Sequence, residues 1–315
     1  MKLSLFDLHC DTAFELLRTG QQLEDNTLHV SLKKAAAFSA YVQVMALWTD
    51  AGLSDEEGWI HAGRMLDSLR SDPALSSGKA VLSASLPQSF SSGTRLLLSV
   101  EDLRILAGKA ERVDALYRMG VRVLTPLWAG ETCIGGAHDT VSGLTFFGKN
   151  AMRRALSLSM IPDISHASEA SADDIFALAE DAKIPVIASH SDAYAVCPVS
   201  RNLRDGQVRA IVSSHGLIGL NFHTFFLRKG GGAGVADILR HADYFLSLGA
   251  SDVLALGGDM DGAKMPADLP DLAALPALAE AFLRQNYPES LVHAIFFDNA
   301  IQFWQKNFPE IETNQ

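Results

Sequence analysis

Six acidic or imidazole side chains stand out because each closes an apolar run. His9 and Asp11 follow LSLFDL as His-x-Asp. Glu101 ends RLLLSVE, His166 ends IPDISH and His190 ends IPVIASH. Asp259 follows LALGG. Imidazole nitrogen and carboxylate oxygen are donors that suit zinc and similar divalent cations. In an extended segment side chains alternate, so His9 and Asp11 are expected on one face. Each residue alone also has an ordinary structural reading. His9 fits a locally hydrogen-bonded strand end, and Glu101, with Asp102, fits a helix N-terminal acid. His166 and His190 fit packed histidines, and Asp259 fits a turn aspartate like Asp261-Gly262. Taken together they are hard to place without cations, because buried acids and imidazoles gathered in one place repel or stay unsatisfied. Two cations sharing one carboxylate is the economical arrangement.

The elements that must position these groups alternate. Short apolar runs at 3–8, 40–47, 95–100, 121–126, 161–165, 185–189, 217–222 and 253–256 read as eight strands. Between most of them lie segments with apolar residues spaced by three and four, at 56–70, 151–159, 172–182, 207–213 and 235–248. Eightfold strand–helix alternation predicts an α/β fold, a single (β/α)₈ TIM-type barrel with extra C-terminal helices, occupying residues 1–315 as one domain. A doubly wound open sheet is the competing architecture. Barrel geometry brings the C-terminal ends of strands together, where the six residues fall. Gly120 and Gly216 read as helix C-caps leading into strands. Gly230–Gly232 reads as a flexible loop, a candidate lid.

Composition bounds the chemistry. The chain of 315 residues is 48% hydrophobic and 20% charged, enough for a full core. A net charge of −11 disfavours nucleic acid and anionic membrane surfaces as partners. Three dispersed cysteines form neither a zinc ribbon nor a disulfide framework, which points to a reducing, cytoplasmic compartment. The N-terminus carries no signal-peptide pattern, and no apolar stretch is long enough to span a bilayer.

The pieces DLHCDT, SVED, GLTFFGK, DISHAS, ASHSDA, RNLRD, GLNF and LGGDMDG occur in this order between Phe6 and Phe303. The chain thereby resembles the renal, or membrane, dipeptidases of peptidase family M19, metal-dependent barrels of the amidohydrolase type. That resemblance implies two divalent cations, most simply Zn²⁺. His9 and Asp11 would hold one, His166 and His190 the other, and Glu101 would bridge them. It implies that Arg201, in RNLRD, receives the C-terminal carboxylate of a dipeptide, as a guanidinium fork is suited to do. Arg201 read by itself is a surface charge at a helix start. Asp259 would handle protons during hydrolysis, with water activated by the cations as nucleophile. A homodimer is a further implication. One departure stands out: in LTPLWAG, Trp128 occupies the place of a substrate-binding histidine in the family's mammalian members, while His138 lies further along. The expected activity is hydrolysis of dipeptides with a free carboxylate, possible L,D substrates included. Other small amides, of N-acyl-amino-acid or β-lactam type, are the alternative. A non-turning-over metal-binding barrel is the third reading, disfavoured by the presence of Asp259.

Overall fold

Continuous apolar runs suit parallel strands covered on both faces, and that is the form they take in a computed structural model of the protein, which describes residues 3–309. The strands are β1 (Leu5–Cys10), β2 (Ala40–Trp48), β3 (Val81–Leu82), β4 (Gly93–Glu101), β5 (Val121–Thr125), β6 (Ile161–Pro162), β7 (Ile218–Leu220) and β8 (Leu254–Leu256). They run parallel in the order β6-β5-β4-β2-β1-β8-β7, with β3 attached outside to β4. The expected sixth strand, 185–189, makes no ladder. It makes single parallel bridges, Asp163 to Ile187 and Ala188 to Ile218, and so joins β6 to β7. The Ile187 amide donates to Pro162 O at 3.0 Å and the Ala188 amide to Leu217 O at 2.8 Å. The sheet therefore curls round on itself, and the open doubly wound sheet is ruled out. Strand β3 escapes sequence reading because two residues carry no alternation.

The expected helices form, four of them starting earlier than expected, at Asp55–Arg70, Phe146–Ser157, Glu169–Ala182 and Asp205–Ser213, and the fifth starting where expected, at Val235–Ser247. Their starts follow capping chemistry. Ser54 and Glu57 make a reciprocal capping box, while Thr145 and Ser168 cap through their side chains. Gly120 adopts the left-handed C-cap as expected. Gly216 does not. His215 takes the left-handed position after Ser214, at φ 55°. Gly216 is needed for a different reason: a Cβ there would lie 1.8 Å from Val186 O. The three loop glycines Gly230, Gly231 and Gly232 all have positive φ.

Apolar side chains divide into two clusters. The larger lies between sheet and helices. The smaller fills the barrel lumen with Phe6, Val42, Val44, Leu97, Val123 and Ile187, against Ile301 and Trp304 of the C-terminal helix Asn299–Asn307. Trp304 is 1% exposed and tilts against Phe6 at 5.9 Å between ring centres. That helix plugs one end of the lumen, so the opposite end, where the strands finish, holds the polar residues.

Candidate active site

Each singled-out group sits where its strand stops. His9 is the penultimate residue of β1, and the β1–β2 register slips between Asp7 and Cys10. Asp11 lies beyond the strand, at the N-cap of the helix Thr12–Thr19, with φ −97° and ψ 18°. Two-residue strand alternation is therefore not what pairs His9 with Asp11. The strand bulges and ends, and the turn into the helix brings Asp11 Oδ2 to 3.6 Å from His9 Nε2. Glu101 is the last residue of β4. His166 and His190 follow β6 and the 185–189 segment. Asp259 follows β8. His166, Asp259 and Asp261 all have left-handed backbones, with φ 68°, 56° and 69°. Such conformations cost roughly 1–3 kcal/mol each and gather where a site over-determines them.

The centre of the arrangement is Glu101. Its Oε2 lies 3.4 Å from His9 Nε2, and its Oε1 lies 2.9 Å from His166 Nε2 and 3.6 Å from His190 Nε2. The two carboxylate oxygens thus face different histidines. The His9 ring stacks on His190 at 3.7 Å. Donor atoms of His9, Glu101 and His190 lie within 4.8 Å of one another, as do those of His9, Asp11 and Asp259.

Hydrogen-bond chemistry tests the fit to a cation. His166 Nδ1 is 3.0 Å from Trp128 O, and a carbonyl only accepts, so Nδ1 carries the proton. His190 Nδ1 is 2.7 Å from Ser189 Oγ, whose own proton goes to Asp163. Both Nε2 atoms therefore present bare lone pairs, yet they face each other at 3.0 Å. Two lone pairs at that distance beside a carboxylate repel unless a cation lies among them. On the other side, His9 Nδ1, His9 Nε2 and Asp11 Oδ1 are buried without a hydrogen-bond partner among the described residues. Gly262 completes the cradle, since a Cβ there would lie 2.0 Å from Asp11 Oδ2. The donor set fits divalent metal.

The electrostatics agree. Burial opposes charge on both His9 and Glu101. Their attraction prevails, so His9 is raised well above the usual imidazole range and Glu101 is held well below the carboxylate range. Burial lowers His190 strongly, helped by His9 and Arg201. Burial and the Arg201 charge bring His166 down to about 4. Burial, then the neighbouring carboxylates, pushes Asp11 up to about 6 and Asp259 up to about 7, against the pull of His9.

A cavity of about 430 Å³ opens above these groups. Asp11, Glu101, His166 and Asp259 form its floor. Phe14, Trp48, Trp128 and Phe226 form its walls, with His138 and His223 at the side. Trp48 meets Trp128 edge-on at 5.2 Å and Phe14 at 4.9 Å. Trp128 thus lines the cavity by its ring and steadies His166 by its carbonyl. Arg201 is not a surface charge: it is 4% exposed. Its guanidinium donates to Ser191 Oγ at 2.8 Å and to His190 O at 2.9 Å, and it lies over the Phe226 ring. It stands behind the lining residues rather than among them. His138 Nδ1 lies 3.0 Å from Ser200 Oγ. The sequence does not single out Phe14, Trp48, His223 and Phe226, since aromatics at strand ends and helix starts read as core. Asp7 and Asp163 were also passed over. Asp7 accepts from the His9 and Gly258 amides and from Gln43. Asp163 accepts from the Ser165 and Ser189 amides and from Thr125.

Comparison with known proteins gives one answer. The membrane dipeptidase family model, peptidase family M19, matches residues 1–311. An uncharacterised Klebsiella pneumoniae protein encoded 5′ of pqqA is 34% identical over 215 residues, covering 63% of this chain and 78% of that one. Dipeptidase 3 of Macaca fascicularis is 28% identical over 219 residues, which cover 67% of this chain and 44% of that one. Among solved structures, the dipeptidase AC, a metallopeptidase of family M19, superposes with a TM-score of 0.89 at 25% identity, over 98% of this chain and 100% of that one. A Rhodobacter sphaeroides metallopeptidase, solved with a phosphinate mimic of the dipeptide L-Ala-D-Ala, shares the fold with a TM-score of 0.89 at 24% identity and the same coverage. The metal-fitting floor thus lies in a chain whose whole length follows one pattern, and the chain belongs to peptidase family M19, the membrane dipeptidases, as a metallo-dipeptidase hydrolase.

Proposed function

We propose that the site is binuclear and hydrolyses dipeptides bearing a free C-terminal carboxylate. His9 and Asp11 hold one cation, His166 and His190 the other, and Glu101 reaches both; zinc fits this nitrogen and oxygen donor set. The observation that carries the reading is the division of Glu101, one oxygen toward His9 and the other toward the facing Nε2 atoms of His166 and His190. When bound, the cations supply a nucleophile from water at neutral pH and polarise the scissile carbonyl.

The protein's own groups do the rest. Asn221 Nδ2 donates to Asp259 Oδ2 at 3.1 Å, leaving Oδ1 directed toward His9 at 3.9 Å. Asp259 accepts the proton of the attacking water and returns it to the leaving amine, a role suited to a carboxyl pushed up to about 7. Arg201 draws the substrate carboxylate toward the Phe226 side. The walls exclude water and hold apolar side chains. L,D dipeptides belong to the proposed range, because the Rhodobacter protein binds an L-Ala-D-Ala mimic. One observation favours a second reading: Arg201 already donates to Ser191 Oγ and His190 O, with only Nε buried and unpartnered among the described residues, and the residue does not line the cavity. A small amide without a free carboxylate, an N-acyl-amino acid or a β-lactam, would suit a site in which Arg201 only supports His190 and Ser191.

Metal analysis combined with a panel of L,L, L,D, amidated and N-acylated substrates tests the assignment. Two equivalents of cation and preference for free dipeptides are expected. Turnover confined to N-acylated compounds, or a site saturated by one cation, sinks it. Among the described residues no helix is long and apolar enough to cross a membrane. The three cysteines are unpaired, which supports a cytoplasmic assignment; a homodimer is the proposed assembly, checked by sedimentation.

A further inference from the structure

The two halves of the floor differ in how their histidines are held, and this difference has consequences for cation loading. His190 Nδ1–H donates to Ser189 Oγ at 2.7 Å, and the Ser189 hydroxyl donates to Asp163. Asp163 is fully buried and is itself locked by Thr125 Oγ1 at 2.7 Å and by the Ser165 and Ser189 amides, each at 2.9 Å. Every donor in this chain points one way, from imidazole to hydroxyl to carboxylate. The lone pair of His190 is thereby forced onto Nε2, toward Glu101. His166 is fixed likewise through Trp128 O. His9 has no such support. Its ring is 1% exposed, but neither nitrogen has a hydrogen-bond partner among the described residues, and Asp11 Oδ1 lacks one as well. Asp7 holds the His9 main-chain amide at 3.0 Å and leaves the ring nitrogens free. What faces the His9 ring is His190, stacked on it, and the carboxylates of Asp11 and Glu101 at 3.6 and 3.4 Å, which are themselves ligand candidates rather than an outer support.

We infer that the two cation positions are unequal: the His166–His190–Glu101 position is pre-organised by the Asp163–Ser189 relay and the Trp128 carbonyl and fills first, while the His9–Asp11 position fills second and exchanges readily. Asp163 and Ser189 are positioning residues, acting through His190. The physical reason is that a ligand already fixed in tautomer and direction loses little freedom on binding, whereas an untethered one must be ordered by the metal. Removing such an outer hydrogen bond typically weakens a metal site by about 10- to 100-fold.

This inference rests on the binuclear reading above. The test is calorimetric titration of the apo-protein with Zn²⁺ alone, with metal content measured after dialysis and apo-protein thermal unfolding as the control. Two binding classes are expected in the wild-type chain. Loss of the tight class is expected in His190→Ala and loss of the weak class in His9→Ala. Ser189→Ala should weaken the tight class by about 10- to 100-fold with the weak class unchanged, and Ser189→Thr, which keeps the hydroxyl, should restore most of it. Equal classes in the wild-type chain overturn the inference without reference to any variant. So does a Ser189→Ala protein, folded by its thermal transition, whose tight class is unchanged. A wild-type chain that takes up no Zn²⁺, or only one equivalent, removes the binuclear reading itself.

Discussion

The floor and the walls of the cavity are built by opposite rules. The floor gathers three carboxylates and three imidazoles and leaves several of their atoms buried and unpartnered or facing their own kind. The walls consist of apolar ring surfaces that satisfy one another, with Phe14, Trp48 and Trp128 meeting edge to face, and only the buried Trp48 indole N–H lacking a partner among them. Edge-to-face aromatic pairs are self-sufficient, worth about 0.5–1.5 kcal/mol beyond their burial. The floor is arranged for cations and chemistry at the expense of local stability; the walls are arranged for shape. Changes to the floor should therefore alter metal content and turnover, and changes to the walls should alter which substrate is preferred.

The largest effect is expected from Glu101→Ala or from chelation. Both should remove bound cations together and reduce kcat by more than the roughly 10²–10³-fold that loss of a single oxyanion contact costs. Retention of two equivalents of metal in Glu101→Ala, read by elemental analysis, would break the comparison at its centre. Next comes Asp259→Asn, which keeps the shape but removes the base. Metal content should stay unchanged while kcat falls roughly 10²-fold or more; near-normal turnover would place proton transfer elsewhere. Arg201→Ala follows. A charge-assisted hydrogen bond worth about 1.5–3 kcal/mol corresponds to about a 10- to 100-fold rise in KM for free dipeptides, with little change for amidated ones. Equal damage to both classes would make Arg201 a support for His190 and Ser191 only. The smallest effect is expected at the wall. Trp128→His should shift the substrate profile by roughly tenfold or less between bulky and small substrates and leave the metals in place, because the Trp128 carbonyl that holds His166 belongs to the main chain. An unchanged profile would reduce the Trp128 ring to packing.

Much of the floor was legible because barrel topology converts one-dimensional position into three-dimensional proximity. His9, Glu101, His166, His190 and Asp259 each close an apolar run, and closure of the sheet brings run ends together. The walls were not legible. Phe14 and Trp48 carry no motif, and an aromatic at a strand end reads equally well as core. The relay under His190 was hidden for another reason: Asp163 and Ser189 are 26 residues apart and meet only across the joint between β6 and the 185–189 segment.

The sequence by itself determined the strand–helix alternation and the donor types at the strand ends, because each depends on local spacing and side-chain chemistry. Only the tertiary structure decided the rest. It made 185–189 a bridge-linked stave rather than a regular strand, gave His215 and not Gly216 the left-handed position, and placed Arg201 in the interior behind the cavity wall. It also gave the imidazoles of His166 and His190 outer hydrogen bonds, and left that of His9 without one among the described residues. These outcomes depend on which backbone oxygens and buried carboxylates from distant segments come within hydrogen-bond reach, and that is set by how the sheet closes.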